Sequence, residues 1–147
     1  MECSYSSVDV LIVGAGPVGL FAAFNLLRYG FSVRIIVERY GRAAMLHSRT
    51  LELLHQSGLS ETFLQEGRKS HKMWIVTDGE WKVMGPPLHA LRDTEFKYSL
   101  ILRQFMIEQL LTEKLAEYGV QVERSIELVD FDVQDEDGSV SAVLKGT

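Results

Sequence analysis

The chain is poor in the features that mark secreted, membrane-spanning or nucleic-acid-binding proteins. It has one cysteine, Cys3, in 147 residues. A single thiol excludes an internal disulfide framework and fits a reducing compartment. No apolar run is long enough to span a bilayer, and Met1 to Ser7 lack the basic stretch that opens a secretory leader. A basic excess is missing too. The net charge of −5 gives no electrostatic reason to expect nucleic acid or an anionic membrane as partner. None of His47, His55, His71 and His89 pairs with a cysteine or a second histidine at metal-ligand spacing, so no metal site is expected. Internal repeats and low-complexity linkers are absent. What is left is an ordinary composition, 46% hydrophobic and 24% charged, in a chain long enough for one domain with a core. The expectation is a soluble cytoplasmic protein.

The informative stretch runs from Val8 to Glu38. Val8-Asp9-Val10-Leu11-Ile12-Val13 is a short apolar run of the kind buried on both faces of a parallel sheet. Gly14-Ala15-Gly16-Pro17-Val18-Gly19 follows, a Gly-x-Gly-x-x-Gly turn. In a dinucleotide site Gly14 makes the tight turn, Gly16 lets a pyrophosphate approach the backbone, and Gly19 lets the helix pack close to the strand. Pro17 sits where a first-turn proline sacrifices no hydrogen bond. The free N–H groups and the helix dipole would then face the phosphates. Gly30 reads as the helix stop. A second strand, Phe31 to Val37, ends at Glu38, about twenty residues after the last glycine, where a carboxylate can accept hydrogen bonds from a ribose. A lone glycine motif is weak, and a ligand-free turn in a βαβ unit is the competing reading. Strand, turn, helix, strand and acid in sequence favour the dinucleotide site. An acid at position 38 also disfavours a 2′-phosphate, because like charges would meet.

Beyond Glu38, residues 39–48 have no clean period and read as a loop. Ser48 is expected to cap a short helix carrying Leu51, Leu53 and Leu54 and ending near Gly58. Arg49 then falls in the first turn, an unfavourable place for a cation unless an anion is near. Read alone, Arg49, Arg39 and Arg42 are as well explained as solvated loop arginines. Leu59 to Ser70 reads as a second short helix and a polar link. Asp78-Gly79, between Lys72–Thr77 and Glu80–Met84, is a strong hairpin signal. Its tryptophans, Trp74 and Trp81, could wall a pocket, but core or cross-strand packing is the favoured reading. Tyr98–Leu102 reads as a strand leading into a helix from Gln104 to Tyr118, with Ile107, Leu110, Leu111 and Leu115 as its apolar stripe. Gly119 caps it, and Val120 begins another strand. Ile126–Val133 and Ser139–Lys145 form a second antiparallel hairpin around Asp135 to Gly138.

Four segments together resemble the N-terminal portion of the FAD-dependent aromatic monooxygenases, the p-hydroxybenzoate and phenol hydroxylase group. They are Asp9 to Leu20, Val37-Glu38-Arg39, Ser48 to Leu54 with Gly58-Leu59, and Gln104 to Leu111 leading into Tyr118-Gly119-Val120. The resemblance implies an α/β fold: a Rossmann-like FAD-binding βαβ with a parallel sheet plus antiparallel hairpins, as an incomplete domain. Residues 1–147 would be the N-terminal part of an FAD-binding domain, with 71–100 the start of a substrate-domain sheet. It implies FAD held by Gly14, Gly16, Pro17 and Gly19 at the pyrophosphate and by Glu38 at the ribose. Arg39, in the matching second segment, is a further cofactor-binding candidate. Arg49 would meet the phosphate-ribityl region, which explains a cation in a helix's first turn, and Gln104 would contact the cofactor from its helix start. Arg103 is a candidate to share that last role. NAD(P)H as co-substrate, O₂ and a small aromatic substrate complete the chemistry the resemblance implies. No side chain here is singled out as a catalytic acid, base or nucleophile.

Family members run well beyond 147 residues and carry later Asp-Gly and Gly-Asp motifs. Asp78-Gly79 and Asp137-Gly138 do not match them, because neither follows a buried apolar strand. The chain therefore reads as truncated, with its first strand open on one side. An isolated chain of that kind is expected to be unstable, aggregation-prone or completed by a partner. A reversible, cooperative melt of the monomer would contradict that expectation. Three other readings stand beside the monooxygenase one. They are a different FAD oxidoreductase sharing the cofactor half, such as one acting on isoprenoid or quinone-like substrates, a non-catalytic remnant, and a simple NAD dehydrogenase. The last gives no reason for Arg49 and Gln104.

Overall fold

A computed structural model describes residues 6–37, 45–84, 88–135 and 138–146. Its elements in chain order are β1 (Val10–Val13), α1 (Pro17–Arg28), β2 (Val33–Val37), β3 (Met45–Leu46), α2 (Ser48–Gln56), α3 (Ser60–Glu66) and β4 (Arg68–Ser70). There follow β5 (Trp74–Thr77), β6 (Glu80–Val83), a 3-10 turn (Leu88–Ala90), β7 (Ser99–Ile101), α4 (Gln104–Ala116), β8 (Val122–Arg124), β9 (Ile126–Val133) and β10 (Val140–Gly146). The chain divides into two compact units. One comprises residues 1–41 and 108–147, the other residues 42–107.

The first unit is built on a parallel sheet in the order β1-β2-β8. Val10 pairs with Val33 and Val13 with Ile36, while Ile35 pairs with Val122 on the other side. β2 therefore has neighbours on both edges, and Val33, Ile35, Ile36 and Val37 are buried. Burial of each such side chain contributes about 1.5–3 kcal/mol. The sequence pattern suggests equal burial for β1, but β1 lies at the edge of the described sheet and is only half-buried, with Val13 56% exposed. α1 buries Leu20, Ala23 and Phe24. Its end is closed by two bonds, Gly30 N–H to Leu27 O and Phe31 N–H to Leu26 O. That Schellman geometry needs the positive φ of 86° found at Gly30. The same pair of bonds closes α2 at Gly58 and Leu59 and α4 at Gly119 and Val120. The β9–β10 hairpin pairs Val133 with Val140 and Phe131 with Ala142, and carries a bulge at Val143/Leu144.

Two polar devices fix the strand starts. The Asp9 carboxylate accepts from the Ser32 N–H (2.7 Å) and hydroxyl (2.6 Å), while the Asp9 N–H donates to Ser32 Oγ (2.9 Å). These bonds hold the Asp9 carboxyl below its ordinary pKa, with the Ser32 hydroxyl the larger cause. A depressed folded pKa gives stability that is full above about pH 4, the unfolded value, and is lost as pH falls through the folded one. Asp9→Asn is therefore expected to lower the apparent thermal midpoint at pH 7 and to narrow its difference from the parent at pH 3. A difference that stays constant with pH would contradict this. Between β2 and β8, the Arg34 fork donates to both Glu123 oxygens, at 2.7 and 2.8 Å. That bond holds the Glu123 carboxyl low, and the partly exposed pair contributes about 0.2–1 kcal/mol.

In the second unit the antiparallel sheet has the order β3-β7-β4. Leu100 on the central strand is fully buried, as is Leu51 of α2, and Phe63 of α3 is nearly so. Residues 68–70 correct the reading of a polar link. They form β4, whose backbone pairs with β7 although Arg68-Lys69-Ser70 carries no apolar alternation. Ser48 is corrected as well. His47 occupies the N-cap position of α2, no side chain caps it, and the Ser48 hydroxyl donates instead to Phe96 O at 2.7 Å. The β5–β6 hairpin forms as expected, with positive φ at both Asp78 (56°) and Gly79 (79°), a type I′ turn. Its tryptophans are not core. Trp74 and Trp81 are 52% and 71% exposed and stand opposite Val83 and Val76 on one face of a two-stranded sheet, the cross-strand packing that is the other part of the expectation.

Candidate functional site

The site begins where β1 ends. Gly14 takes a φ of 116°, which an L side chain rarely adopts, and its N–H donates to Ile36 O at 2.8 Å. That bond, with the Val13–Ile36 register, ties the turn to the end of β2. Ala15 is buried. Gly16 is the N-cap of α1, Pro17 opens the helix, and the first helical bond runs from the Leu20 N–H to Gly16 O at 2.9 Å. No side chain caps α1 and its first turn holds no acid. Its leading N–H groups thus keep their capacity to bind an anion, with the dipole acting in the same sense.

The three glycines do different jobs. A Cβ on Gly14 or Gly16 would meet nothing within 4 Å, so the outer side of the turn is open. A Cβ on Gly19 would lie 2.0 Å from Gly14 O and 3.3 Å from Ile12 Cγ2. Gly19 is therefore the point at which helix and turn touch, and Gly14 and Gly16 form an open floor. The residues present fit a pyrophosphate: an open backbone cradle at an uncapped helix start, with no carboxylate in the first turn to repel it.

Of the other expected site residues, Glu38 and Arg39 lie outside the described residues, as does Arg42. Arg49 and Gln104 belong to the second unit. Arg49 is in the first turn of α2, its side chain 72% exposed, with Nη1 3.1 Å from Glu52 Oε2. A hydrogen bond from Thr94 first, and then Arg49, keeps the Glu52 carboxyl ionised to lower pH than usual. Gln104 is the first residue of α4, after Arg103, whose carbonyl accepts from the Met106 and Ile107 N–H groups. Among the described residues no three His, Cys, Asp or Glu side chains come together as metal ligands, and no helix is long and apolar enough to cross a membrane.

Sequence spacing did not reveal a second concavity. A cavity of about 100 Å³ lies in the second unit between one face of the β3-β7-β4 sheet and the base of the β5–β6 hairpin. Its walls come from several short segments, none with a period of its own.

Comparison with known proteins agrees with the first-unit geometry. The FAD binding domain family matches residues 7–147. The 6-methylpretetramide 4-monooxygenase of Streptomyces rimosus is 37% identical over 127 residues, covering 83% of this chain and 23% of the relative. The crystal structure of p-nitrophenol 4-monooxygenase from Pseudomonas putida superposes with a TM-score of 0.79 at 26% identity, over 92% of this chain and 35% of that one. The anhydrotetracycline hydroxylase of Streptomyces rimosus gives a TM-score of 0.75 at 32% identity, over 95% and 28%. The chain spans 23% to 29% of the length of the first curated relatives it matches. A family match across nearly the whole chain, on a βαβ unit with an open glycine turn, shows that this chain belongs to the FAD binding domain family.

Proposed function

We propose that this chain is the FAD-binding part of a flavoprotein monooxygenase that hydroxylates small aromatic, phenolic substrates with NAD(P)H and O₂. The observation that carries the reading is the open Gly14–Gly16 floor beside an uncapped helix start, held to the strand by the Gly19 contact. The names of the relatives support the reaction class. In this reading the backbone of Gly14, Gly16, Pro17 and Gly19 seats the pyrophosphate, and Glu38 accepts from the ribose hydroxyls. Arg39, Arg49 and Gln104 are further cofactor contacts, on the likeness of their segments to the family. Bound FAD supplies the electron transfer and oxygen chemistry, and the chain supplies binding, orientation and exclusion of water. Residues 71–100 begin the sheet of a substrate domain, and a cytoplasmic setting belongs to the same reading. The 147 residues are not expected to sustain hydroxylation on their own.

Titrating the purified chain with FAD, and following the visible spectrum, tests this. Saturable binding is expected, with no NAD(P)H oxidation by the chain alone. Glu38→Ala should weaken FAD by roughly 10- to 100-fold, the loss of hydrogen bonds to a charged acceptor. A chain that refuses FAD and every other adenine nucleotide would overturn the proposal.

A further inference from the structure

Arg49 stands in the first turn of α2, where the helix dipole disfavours a cation, and a closed ring of hydrogen bonds surrounds its attachment to the chain. Its Nη1 donates to Glu52 Oε2 at 3.1 Å. The same carboxylate accepts from the Thr94 hydroxyl. Thr94 Oγ1 accepts in turn from the Phe96 N–H at 3.1 Å. Phe96 O then accepts at 2.7 Å from the hydroxyl of Ser48, the residue before Arg49, and the ring closes. The segment 94–96 is itself anchored, because the Phe96 side chain is buried and meets the His55 ring edge-on near the far end of α2.

An exposed ion pair three residues apart on a helix orders an arginine only weakly, since lost rotamer freedom offsets most of the attraction. Here the carboxylate is not free to follow the guanidinium. The Glu52 side chain is 25% exposed against 72% for Arg49, and a second segment holds it through Thr94. Charge neutralisation alone would need Glu52 but not Thr94. The ion pair uses Nη1, and a guanidinium carries further donors in a rigid fork. An anion that meets an arginine already ordered in this way gives up less side-chain entropy on binding.

We propose that Glu52 and Thr94 are positioning residues, which hold the Arg49 guanidinium oriented for a phosphate of the cofactor before the cofactor arrives. This rests on the reading of Arg49 as a cofactor contact. The hydrogen-bonded ring lies within residues 42–107 and forms without flavin, so the orientation and its purpose can be measured separately.

Side-chain ¹⁵N relaxation at Arg49 Nε in the flavin-free intact chain reads the orientation, with Arg49→Ala identifying the signal. An ordered Nε is expected in the parent and in Thr94→Ser, which keeps the hydroxyl. A mobile Nε is expected in Thr94→Val and Glu52→Gln. FAD titration of the same proteins reads the purpose. Thr94→Val should weaken FAD by about two- to tenfold, the order of one side chain's freedom lost on binding, and Thr94→Ser should restore it. In an Arg49→Ala background, which itself weakens FAD, Thr94→Val should have no further effect. An Nε equally mobile in parent and Thr94→Val would overturn the positioning role whatever FAD does. Equal weakening by Thr94→Val with and without Arg49 would overturn it too, as the mark of a merely structural residue. Arg49→Ala binding FAD as the parent does, with Nε order still dependent on Thr94, would instead sink the reading of Arg49 as a cofactor contact, and the proposed purpose with it.

Discussion

Gly19→Ala is expected to remove most soluble, flavin-competent protein, whereas Gly16→Ala, three residues earlier, should leave the fold intact and weaken only FAD. The contrast follows from what each new methyl would meet. At Gly19 the Cβ would stand 2.0 Å from the Gly14 carbonyl oxygen. That neighbour is backbone, tied by its own N–H to Ile36, and cannot rotate away as a side-chain tip would. Relief requires α1 to lift from β1, exposing Leu20 and Ala23, which are now buried. Ordinary overpacking costs about 1–3 kcal/mol, and a backbone collision belongs at or beyond the top of that range. Typical domains hold only about 5–15 kcal/mol in reserve. At Gly16 the φ of −77° suits any residue, and the methyl would enter empty space. That space is where the pyrophosphate is proposed to lie, so FAD affinity should fall tenfold or more. Soluble yield, apparent melting midpoint and flavin absorbance of the two variants check both halves. A Gly19→Ala protein that melts with the parent, or a Gly16→Ala protein that binds FAD as well as the parent, would contradict the argument.

A second large effect is expected in the other unit. Gly67, at the end of α3, has an ordinary φ of −97°, so backbone strain is not the issue. A Cβ there would lie 2.5 Å from Leu100 Cγ and 2.7 Å from both Cδ atoms. Leu100 is fully buried at the centre of the β3-β7-β4 sheet and has nowhere to swing. Gly67→Ala should cost about 1–3 kcal/mol by overpacking. Leu100→Ala should cost about 2–5 kcal/mol by leaving a cavity. Combined, each change relieves the other, because the methyl added at position 67 then points into the space that Leu100 vacated. The double variant should therefore be more stable than the sum of the single costs allows, by about 0.5–3 kcal/mol. Urea unfolding of the four proteins measures this coupling, and strict additivity would show that the contact does not matter.

Much of this architecture could be read from residue order, since the devices involved are local. The run Val10 to Val13, the glycine turn and the Val33 to Val37 run form a βαβ unit because strand, turn and helix propensities agree over a short stretch. Gly30, Gly58 and Gly119 each end a helix through two backbone bonds made within a few residues. Asp78-Gly79 specifies its hairpin the same way. Where the reading went astray, the deciding contact was remote or was missing. Arg68-Lys69-Ser70 is a strand because β7, about thirty residues on, offers its backbone. Ser48 turns from the expected cap to Phe96 O, which no local pattern announces. Of the two packings expected for Trp74 and Trp81, the cross-strand one is found, against Val83 and Val76, while the core one is not, since the rings are 52% and 71% exposed. The cavity at the base of their hairpin was illegible for a related reason: Met45 and Ile101 on one wall and Met73 and Met84 on the other belong to separate sheets, and no local pattern brings those sheets together.

The amino-acid sequence by itself determined the βαβ unit, the dinucleotide turn and the family resemblance, because each rests on backbone geometry set by neighbours along the chain. Only the tertiary structure decided that β2 and not β1 is the buried strand, that Arg68–Ser70 pairs with β7, and that Gly67 abuts the buried Leu100. Those facts depend on which surfaces are brought within a few ångströms by sheet pairing. Close approach of that kind is a property of packing, to which residue order contributes but which it does not display.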